Sequence, residues 1–211
     1  MAVEITWIGH ASFRLAGDGG VVYIDPWKVP DTARADGNVV IVSHDHCDHC
    51  SPDDVVRVAV PGATIVAPPD TAAKFPAATP AGPGEKVIVG GVTVEAIPAY
   101  NVGKKFHPRE NGWIGAVVTL DATRIYYAGD TDLIDEMGQL EAIDVALLPV
   151  GGTYTMTPAE AAQACQRIGC KQAIPYHWGD IVGSADDAAA FETAVSCCAV
   201  TVLTPGRSLT V

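Results

Sequence analysis

The segment 43–50, which reads SHDHCDHC, constrains this chain more than any other because it places many metal-binding side chains in few positions. Three of the six histidines lie between positions 44 and 49, together with Asp45 and Asp48. Imidazole and carboxylate groups together suit borderline divalent ions such as zinc, manganese or iron. We therefore predict one or two divalent metal ions as cofactors, with zinc as the first expectation and manganese or iron as alternatives.

The residues on either side of this segment predict how it is held. Residues 39–42 are entirely apolar and too few for a helix, so they predict a buried strand that ends at the segment. Ser51 and Pro52, followed by Asp53 and Asp54, are typical of a helix start. A strand, a short loop and a helix in succession would give several metal ligands a rigid support.

The pattern His44-x-His46-x-Asp48-His49 resembles the H-x-H-x-D-H signature of the metallo-β-lactamase superfamily. The resemblance implies that His44 and His46 bind a first metal ion, while Asp48 and His49 bind a second. It also implies that Asp45 is not a ligand and faces away from the ions.

Later parts of the chain extend the resemblance. Asp130 follows a predicted strand and matches the aspartate that bridges both ions, and His177, after a predicted strand at 172–175, matches the last ligand of the second ion. His10 and Asp25 match positions beside the metal centre. Asp25 is expected to orient a ligand, while His10 is either a ligand, a support or an ordinary turn histidine. Together these segments are most similar to the L-ascorbate-6-phosphate lactonase branch of the superfamily.

One departure from the superfamily concerns the first metal ion. A histidine is expected just after the predicted strand 92–97, but the sequence there continues Pro-Ala-Tyr-Asn. His107 is the nearest imidazole along the chain, and the side-chain oxygen of Asn101 or a water molecule are the other substitutes. If none of them completes the first site, that site should bind its ion more weakly than the second.

The same loop, residues 98–112, also contains a cluster of cations. Lys104, Lys105 and Arg109 lie within six positions of one another. Long loops within compact domains are usually functional. We therefore expect a cover over the site whose cations meet a small anionic substrate, with a solvated loop as the alternative.

The order of the predicted elements indicates the fold class. An opening β-meander is followed by strands that end in ligand loops, with helices predicted at 53–60, 71–75, 157–168 and 184–195. This arrangement predicts an α/β fold, a four-layer αββα sandwich of two mixed β-sheets with helices on the outer faces. The superfamily resemblance implies the same fold, with residues 1–211 as a single metallo-hydrolase domain.

Composition excludes several other classes of protein. The chain has 211 residues, is 48% hydrophobic and carries a net charge of -12, which disfavours a nucleic-acid surface. The apolar runs are strand-length and the first residues do not resemble a secretory signal, so we expect a cytoplasmic protein that does not span a membrane.

The six cysteines are expected to be reduced, with Cys197 and Cys198 in the core. The sequence leaves the oligomeric state open.

These observations predict a metal-dependent hydrolase of the lactonase, esterase or phosphodiesterase type. A metal-bound hydroxide at a binuclear or potentially binuclear centre would cleave a small anionic ester, lactone or phosphodiester. Asp130 would hold the two ions at a fixed separation, and Asp48 would position the nucleophile. The alternative is a non-catalytic metal-binding or sensing protein whose first metal site is incomplete.

The density of ligands in the segment 43–50 generates a direct test. The double substitution His44→Ala/His46→Ala should remove a bound divalent ion from the purified protein, as measured by elemental analysis. An unchanged metal content in the double variant would contradict the assignment of this segment as the metal site.

Overall fold

The structure is a computed structural model that describes residues 2–211. The strands are β1 (Glu4–Gly9), β2 (Ser12–Gly17), β3 (Gly20–Ile24), β4 (Gly37–Ile41), β5 (Ala59–Ala67), β6 (Thr79–Pro80), β7 (Lys86–Val89), β8 (Val92–Pro98), β9 (Ile114–Leu120), β10 (Thr123–Tyr127), β11 (Val145–Pro149), β12 (Gln172–Tyr176), β13 (Ala199–Val200) and β14 (Arg207–Thr210). The α-helices are α1 (Pro52–Val58), α2 (Pro69–Ala72), α3 (Pro158–Ile168) and α4 (Ala185–Ala194), and two 3-10 helices span Arg109–Asn111 and Asp135–Gln139.

The strands form two mixed sheets of seven strands each. The first sheet has the order β14-β1-β2-β3-β4-β5-β6, and the second has the order β13-β12-β11-β10-β9-β8-β7. Strands β3 to β6 run parallel in the first sheet, and β10 to β13 run parallel in the second. Antiparallel strands complete each sheet, so each half of the molecule combines an antiparallel region with a parallel one.

Three apolar clusters divide the structure into four layers. The central cluster lies between the two sheets and includes Phe13 and Ile41 from the first sheet and Tyr127 and Ile174 from the second. A second cluster packs α3 and α4 on the outer face of the second sheet, and a third packs α1 and α2 on the outer face of the first. The predicted αββα sandwich is therefore confirmed.

Some element boundaries differ from the predictions. The second helix covers Pro69–Ala72 rather than 71–75, and the strand predicted at 200–203 is the short β13. The prediction that Cys197 lies in the core is wrong, because its side chain is exposed, whereas Cys198 is half-buried. Among residues 2–211, no helix combines the length and the apolar character needed to cross a bilayer.

The predicted ligand loops all follow the carboxyl ends of strands. The segment 43–50 follows β4, Asp130 follows β10 and His177 follows β12 directly. Carboxyl ends of neighbouring parallel strands lie at one edge of a sheet, which is where ligands commonly bind in α/β proteins. Residues far apart in the sequence thereby come to one end of the sandwich.

Gly115 in β9 allows the loop that carries Asp130 to approach this edge closely. A Cβ atom at this position would lie 2.5 Å from the carbonyl oxygen of Tyr127 and 2.6 Å from that of Ala128. Backbone atoms of a buried strand cannot move aside as a flexible side chain can. The absence of a side chain at Gly115 is therefore a structural requirement.

We expect Gly115→Ala to destabilise the protein by about 1–3 kcal/mol, the usual cost of forcing extra atoms into a packed core. The measurement is the denaturant midpoint and the free energy of unfolding. Gly82→Ala is the control, because the nearest atom to a Cβ there is a flexible Glu85 oxygen at 3.7 Å. Equal stability of Gly115→Ala and the control would contradict this role.

Candidate metal centre

Two groups of ligand atoms lie side by side where the two sheets meet at the edge described above. Within each group, the candidate ligand atoms lie within 4.8 Å of one another. The first group consists of His44, His46 and His107, and the second of His10, Asp48, His49 and His177. The structure thus brings together the ligands predicted for both ions, and it adds His107 to the first group and His10 to the second.

Asp130 lies between the two groups. Its Oδ2 is 3.3 Å from Nε2 of His107, in the first group, and 3.2 Å from Nε2 of His177, in the second. Its Oδ1 is 3.3 Å from Nε2 of His49. One carboxylate therefore faces nitrogen atoms of both groups at once, which is the arrangement that a bridging ligand requires.

The buried polar atoms of this centre fit a metal ion. Among the residues that the structure describes, Nε2 of His49, His107 and His177 and Oδ1 of Asp130 are buried without a hydrogen-bond partner. Each such atom lowers the stability of the folded state by about 1–3 kcal/mol when it has no partner in a protein interior. Imidazole nitrogen and carboxylate oxygen are common ligands of zinc and of other divalent ions, so bound ions would satisfy these atoms.

Asp25 supports the centre from behind. Its Oδ2 accepts a hydrogen bond from Nδ1 of His49 at 2.7 Å, and Nε2 of the same ring faces Asp130. The backbone N–H and the hydroxyl of Ser43 donate to Asp25 at 2.7 and 2.5 Å, and the Tyr127 hydroxyl donates at 2.7 Å. A carboxylate that holds a histidine in this way fixes both its tautomer and its orientation.

Asn101 plays a similar part for His107. Its side-chain oxygen accepts from the backbone N–H of His107 at 3.1 Å and from Nδ1 of the same residue at 3.0 Å. Its amide group donates to Asp132 at 3.2 Å and to the carbonyl oxygen of Tyr154 at 2.8 Å. Asn101 thus orients His107 toward the centre, and its own oxygen is engaged in that task.

Three residues of this region adopt backbone conformations that L-residues seldom adopt. His10, Asp25 and His177 have φ values of 46°, 44° and 63°. Backbone strain of this kind costs on the order of 1–3 kcal/mol per residue and concentrates at functional sites. A hydrogen bond from the His177 N–H to the His10 carbonyl oxygen, at 3.1 Å, joins two of the strained residues.

Burial and mutual charge set the protonation of the centre. Burial lowers the pKa of His44 well below its usual value. Burial also acts to lower the pKa of His49, but the carboxylates of Asp130 and Asp25 outweigh it and raise this pKa well above its usual value. Burial acts to raise the pKa of Asp130, but the imidazoles of His177 and His49 outweigh it and lower this pKa well below its usual value. An ion that binds Nε2 of His49 therefore displaces a proton.

A cavity of about 210 Å³ opens onto the centre. Its floor is formed by four candidate ligands, and its walls are formed by one thiol, two aromatic rings and one aliphatic side chain. The lining residues are His46, Asp48, His107 and Asp130, then Cys47, Phe106, Tyr154 and Ile181. The rings of Phe106 and Tyr154 meet edge to face, with their centroids 4.6 Å apart.

The cations of the loop 98–112 do not line this cavity. The Lys104 ammonium donates to Asp132 at 2.6 Å and to two backbone carbonyl oxygens. Arg109 pairs with Glu136 at 2.7 Å and lies over the ring of Tyr100. The side chain of Lys105 is exposed. The loop does bring His107 to the centre, but its cations face other carboxylates or solvent.

The remaining aspartate of the segment 43–50 lies apart from the ligands. Asp45 forms an ion pair with Lys74, on the side of the loop that faces α2. Its side chain is about one-third exposed, at 33%. Asp45 is therefore a suitable control position for experiments on the centre.

Comparison with known proteins identifies the family. A family model described as a beta-lactamase superfamily domain matches residues 4–177. The chain belongs to the metallo-β-lactamase superfamily. The more specific resemblance to the L-ascorbate-6-phosphate lactonase branch stays a prediction.

Relatives of this superfamily member match it along almost its full length. A UPF0173 metal-dependent hydrolase of Nitratidesulfovibrio vulgaris is 34% identical, with 100% of this chain and 96% of the relative aligned. A UPF0173 metal-dependent hydrolase of Methanoregula boonei is 36% identical over 98% and 97% of the two chains. The solved structure of Igni18, a metallo hydrolase from Ignicoccus hospitalis, has a TM-score of 0.80 at 27% identity and covers 100% of this chain and 99% of its own. The protein is accordingly a metal-dependent hydrolase of the superfamily.

The sequence did not indicate the residues that complete the environment of the centre. Ser43 and Tyr127 hydrogen-bond to Asp25 from β-strand ends of different sheets, and nothing local in their sequence marks that role. Phe106, Tyr154 and Ile181 come from three separate loops. The exposure of Phe106 and Ile181, at 44% and 57%, is unusual for large apolar side chains, but only the structure reveals it.

If His49 binds an ion, we expect Asp25→Asn to weaken that binding by about 10–100-fold, the usual effect of losing a carboxylate behind a histidine ligand. Competition with a chromophoric chelator measures this affinity. Asp45→Asn is the matched control, since Asp45 lies close in sequence to the ligands and contacts Lys74 instead. Equal affinities in Asp25→Asn and wild type would show that Asp25 has no influence on the ligand.

Proposed function

We propose that residues 1–211 act as one metallo-hydrolase domain whose binuclear centre cleaves small esters or lactones. The observation that carries this proposal is the position of Asp130 between two groups of histidine ligands, at 3.2 and 3.3 Å from His177 and His107. His44, His46 and His107 would hold one ion, and Asp48, His49 and His177 the other, with Asp130 shared. Zinc is the first candidate for both ions, with manganese or iron as alternatives.

The bound ions would supply Lewis acidity, which lowers the pKa of water and polarises a carbonyl oxygen. The protein's own contribution is to fix their ligands. Hydrogen bonds from His49 to Asp25 and from His107 to Asn101 orient two rings that face different oxygens of Asp130. Such support reduces the reorganisation that the reaction would otherwise require.

Asp48 would orient the attacking water. It lines the cavity, and it receives a hydrogen bond from Nε2 of His10 at 3.0 Å. Burial acts to raise the pKa of Asp48, but this hydrogen bond and the charge of His49 outweigh it and lower the pKa to about 2. A carboxylate with so low a pKa is a weak base, so near neutral pH it accepts a hydrogen bond from water and positions it.

The cavity walls favour an uncharged substrate with an apolar group. Phe106, Tyr154 and Ile181 offer apolar contacts, while Lys104, Lys105 and Arg109 are not among the lining residues. Asp48 and Asp130 add negative charge to the floor, which the ions would offset. The sequence analysis expected these cations to bind an anionic substrate such as a phosphodiester. Because they do not line the cavity, an ester or lactone, which does not require cationic side chains, is the better candidate.

The position of His107 also supports the enzyme over the alternative of a non-catalytic metal sensor. That alternative rested on a first site without a third protein ligand. Nε2 of His107 is buried without a hydrogen-bond partner, and a ligand nitrogen of this residue lies within 4.8 Å of ligand atoms of His44 and His46. Three imidazoles and one shared carboxylate are a sufficient set for a four-coordinate ion.

The proposal is tested by substituting Asp130. We expect Asp130→Ala to lower kcat/KM for aryl esters or lactones by at least about 100-fold, because it removes the shared ligand and the fixed separation of the ions. The thermal midpoint, measured on the same samples, should change far less than the activity. Asp45→Ala serves as the control and should keep wild-type activity.

The substrate class is tested on the metal-loaded wild-type protein with a panel of aryl acetates, aryl butyrates, lactones, a phosphodiester and a β-lactam. Turnover should be greatest for esters or lactones with an apolar acyl group. Full activity in Asp130→Ala would exclude the bridging role. One bound ion with no turnover of any compound would favour the metal-binding or sensing alternative.

A further inference from the structure

A second cluster of metal-binding side chains lies away from the histidine centre. Cys165, in the last turn of α3, Cys170, before β12, and Cys198, before β13, have sulfur atoms that all lie within 4.8 Å of one another. Cys165 and Cys170 are 0% and 5% exposed, and Cys198 is half-buried. Within residues 2–211, all three are free thiols.

This cluster is separate from the hydrolytic centre. Cys170 lies just before the first residue of β12, and His177 lies just after its last residue. A strand rises about 3.3 Å per residue, so the two sites are on the order of 20 Å apart at opposite ends of the same strand. An ion at the cluster would therefore not share ligands with the histidine centre.

The sulfur geometry suits a common metal ion. Two thiolates bound to one ion at about 2.3 Å lie roughly 3.8–4.0 Å apart, depending on whether the coordination is tetrahedral or trigonal. The sulfur atoms of Cys170 and Cys198 are 3.8 Å apart. That separation is far longer than the roughly 2.0 Å of a disulfide bond.

The number of ligands distinguishes between the possible ions. Structural zinc sites almost always have four protein ligands. The cluster provides three, and among the described residues no histidine, aspartate or glutamate joins the group. A soft monovalent ion with three thiolate ligands has no such requirement, and Cu(I) is one of the metals for which soft thiolate ligands are selective.

We propose that Cys165, Cys170 and Cys198 form a three-thiolate binding site for a soft monovalent metal ion of the Cu(I) class. Binding breaks three S–H bonds, forms three metal–sulfur bonds and releases three protons to solvent, with no change of oxidation state. The surrounding apolar side chains of α3 and α4, which include Phe191 and Ile168, exclude water from most of the site.

Proton release gives the site a defined pH dependence. Affinity for the ion should consequently increase as the pH rises, because fewer protons compete for the sulfur atoms.

The test uses the protein with its histidine centre loaded with divalent ions, under anaerobic and reducing conditions. Cu(I) buffered by bicinchoninate should transfer to the protein in a 1:1 ratio and produce near-ultraviolet sulfur-to-copper charge-transfer absorption. Cys165→Ser, Cys170→Ser and Cys198→Ser should each lower the affinity at least about tenfold. Cys197→Ser, an exposed neighbour in sequence, is the matched control and should bind as wild type does.

X-ray absorption of the copper-loaded wild-type protein provides a measurement that does not depend on the folding of any variant. Three sulfur neighbours and no nitrogen neighbour are expected around copper. Nitrogen neighbours would place the copper at the histidine centre and overturn the proposal. Equal uptake by the three variants and the wild type, or no uptake by the wild type, would also overturn it. Ester hydrolysis is measured separately, so either proposal can fail without the other.

Discussion

The buried carboxylate of Asp25 is the interaction on which the rest of the centre depends. It follows β3 in the first sheet and accepts hydrogen bonds from Ser43, at the end of β4, and from Tyr127, at the end of β10 in the second sheet. It also orients His49. A fully buried charge is costly unless donors surround it, so this carboxylate strongly favours the arrangement in which both sheets and the ligand loop are docked. The left-handed backbone conformation of Asp25 is a further energetic cost of this arrangement.

The centre is then assembled from two kinds of support. Asp25 holds His49 through a carboxylate, and Asn101 holds His107 through an amide. Asn101 is in turn held by Asp132, which also receives the Lys104 ammonium. Lys104 of the loop 98–112 thus stabilises the position of the loop. This network of hydrogen bonds holds the imidazole of His107 at the centre.

The sequence predicted those strands, helices and site residues whose positions follow from a pattern of neighbouring residues. The strand before the segment 43–50 and the helix after it follow from apolar runs and helix-start residues. The candidate ligands His44, His49, Asp130 and His177 follow strand ends in the predicted order. His107 was only one of three substitutes for the missing histidine, because its position depends on the path of a long loop. The same limit applies to Lys104, whose partner Asp132 is remote in sequence. Cys165, Cys170 and Cys198 carry no recognisable spacing. The parallel pairing of β12 with β13 brings Cys170 and Cys198 together, and the packing of α3 on the same sheet adds Cys165.

The separation of the ligands along the chain has a consequence for how the protein matures. The second group draws on residues from His10 to His177, and both sheets contribute to it. An ion that binds this set joins the two halves of the sandwich, and at 100 times its dissociation constant it adds about 2.7 kcal/mol to the stability of the folded state. During synthesis, the emerging chain has no complete second site until β12 has left the ribosome. The second site can therefore select its ion only when the fold is nearly complete. At that stage, the geometry of the folded site, and not the affinity of a flexible segment, decides which metal is retained.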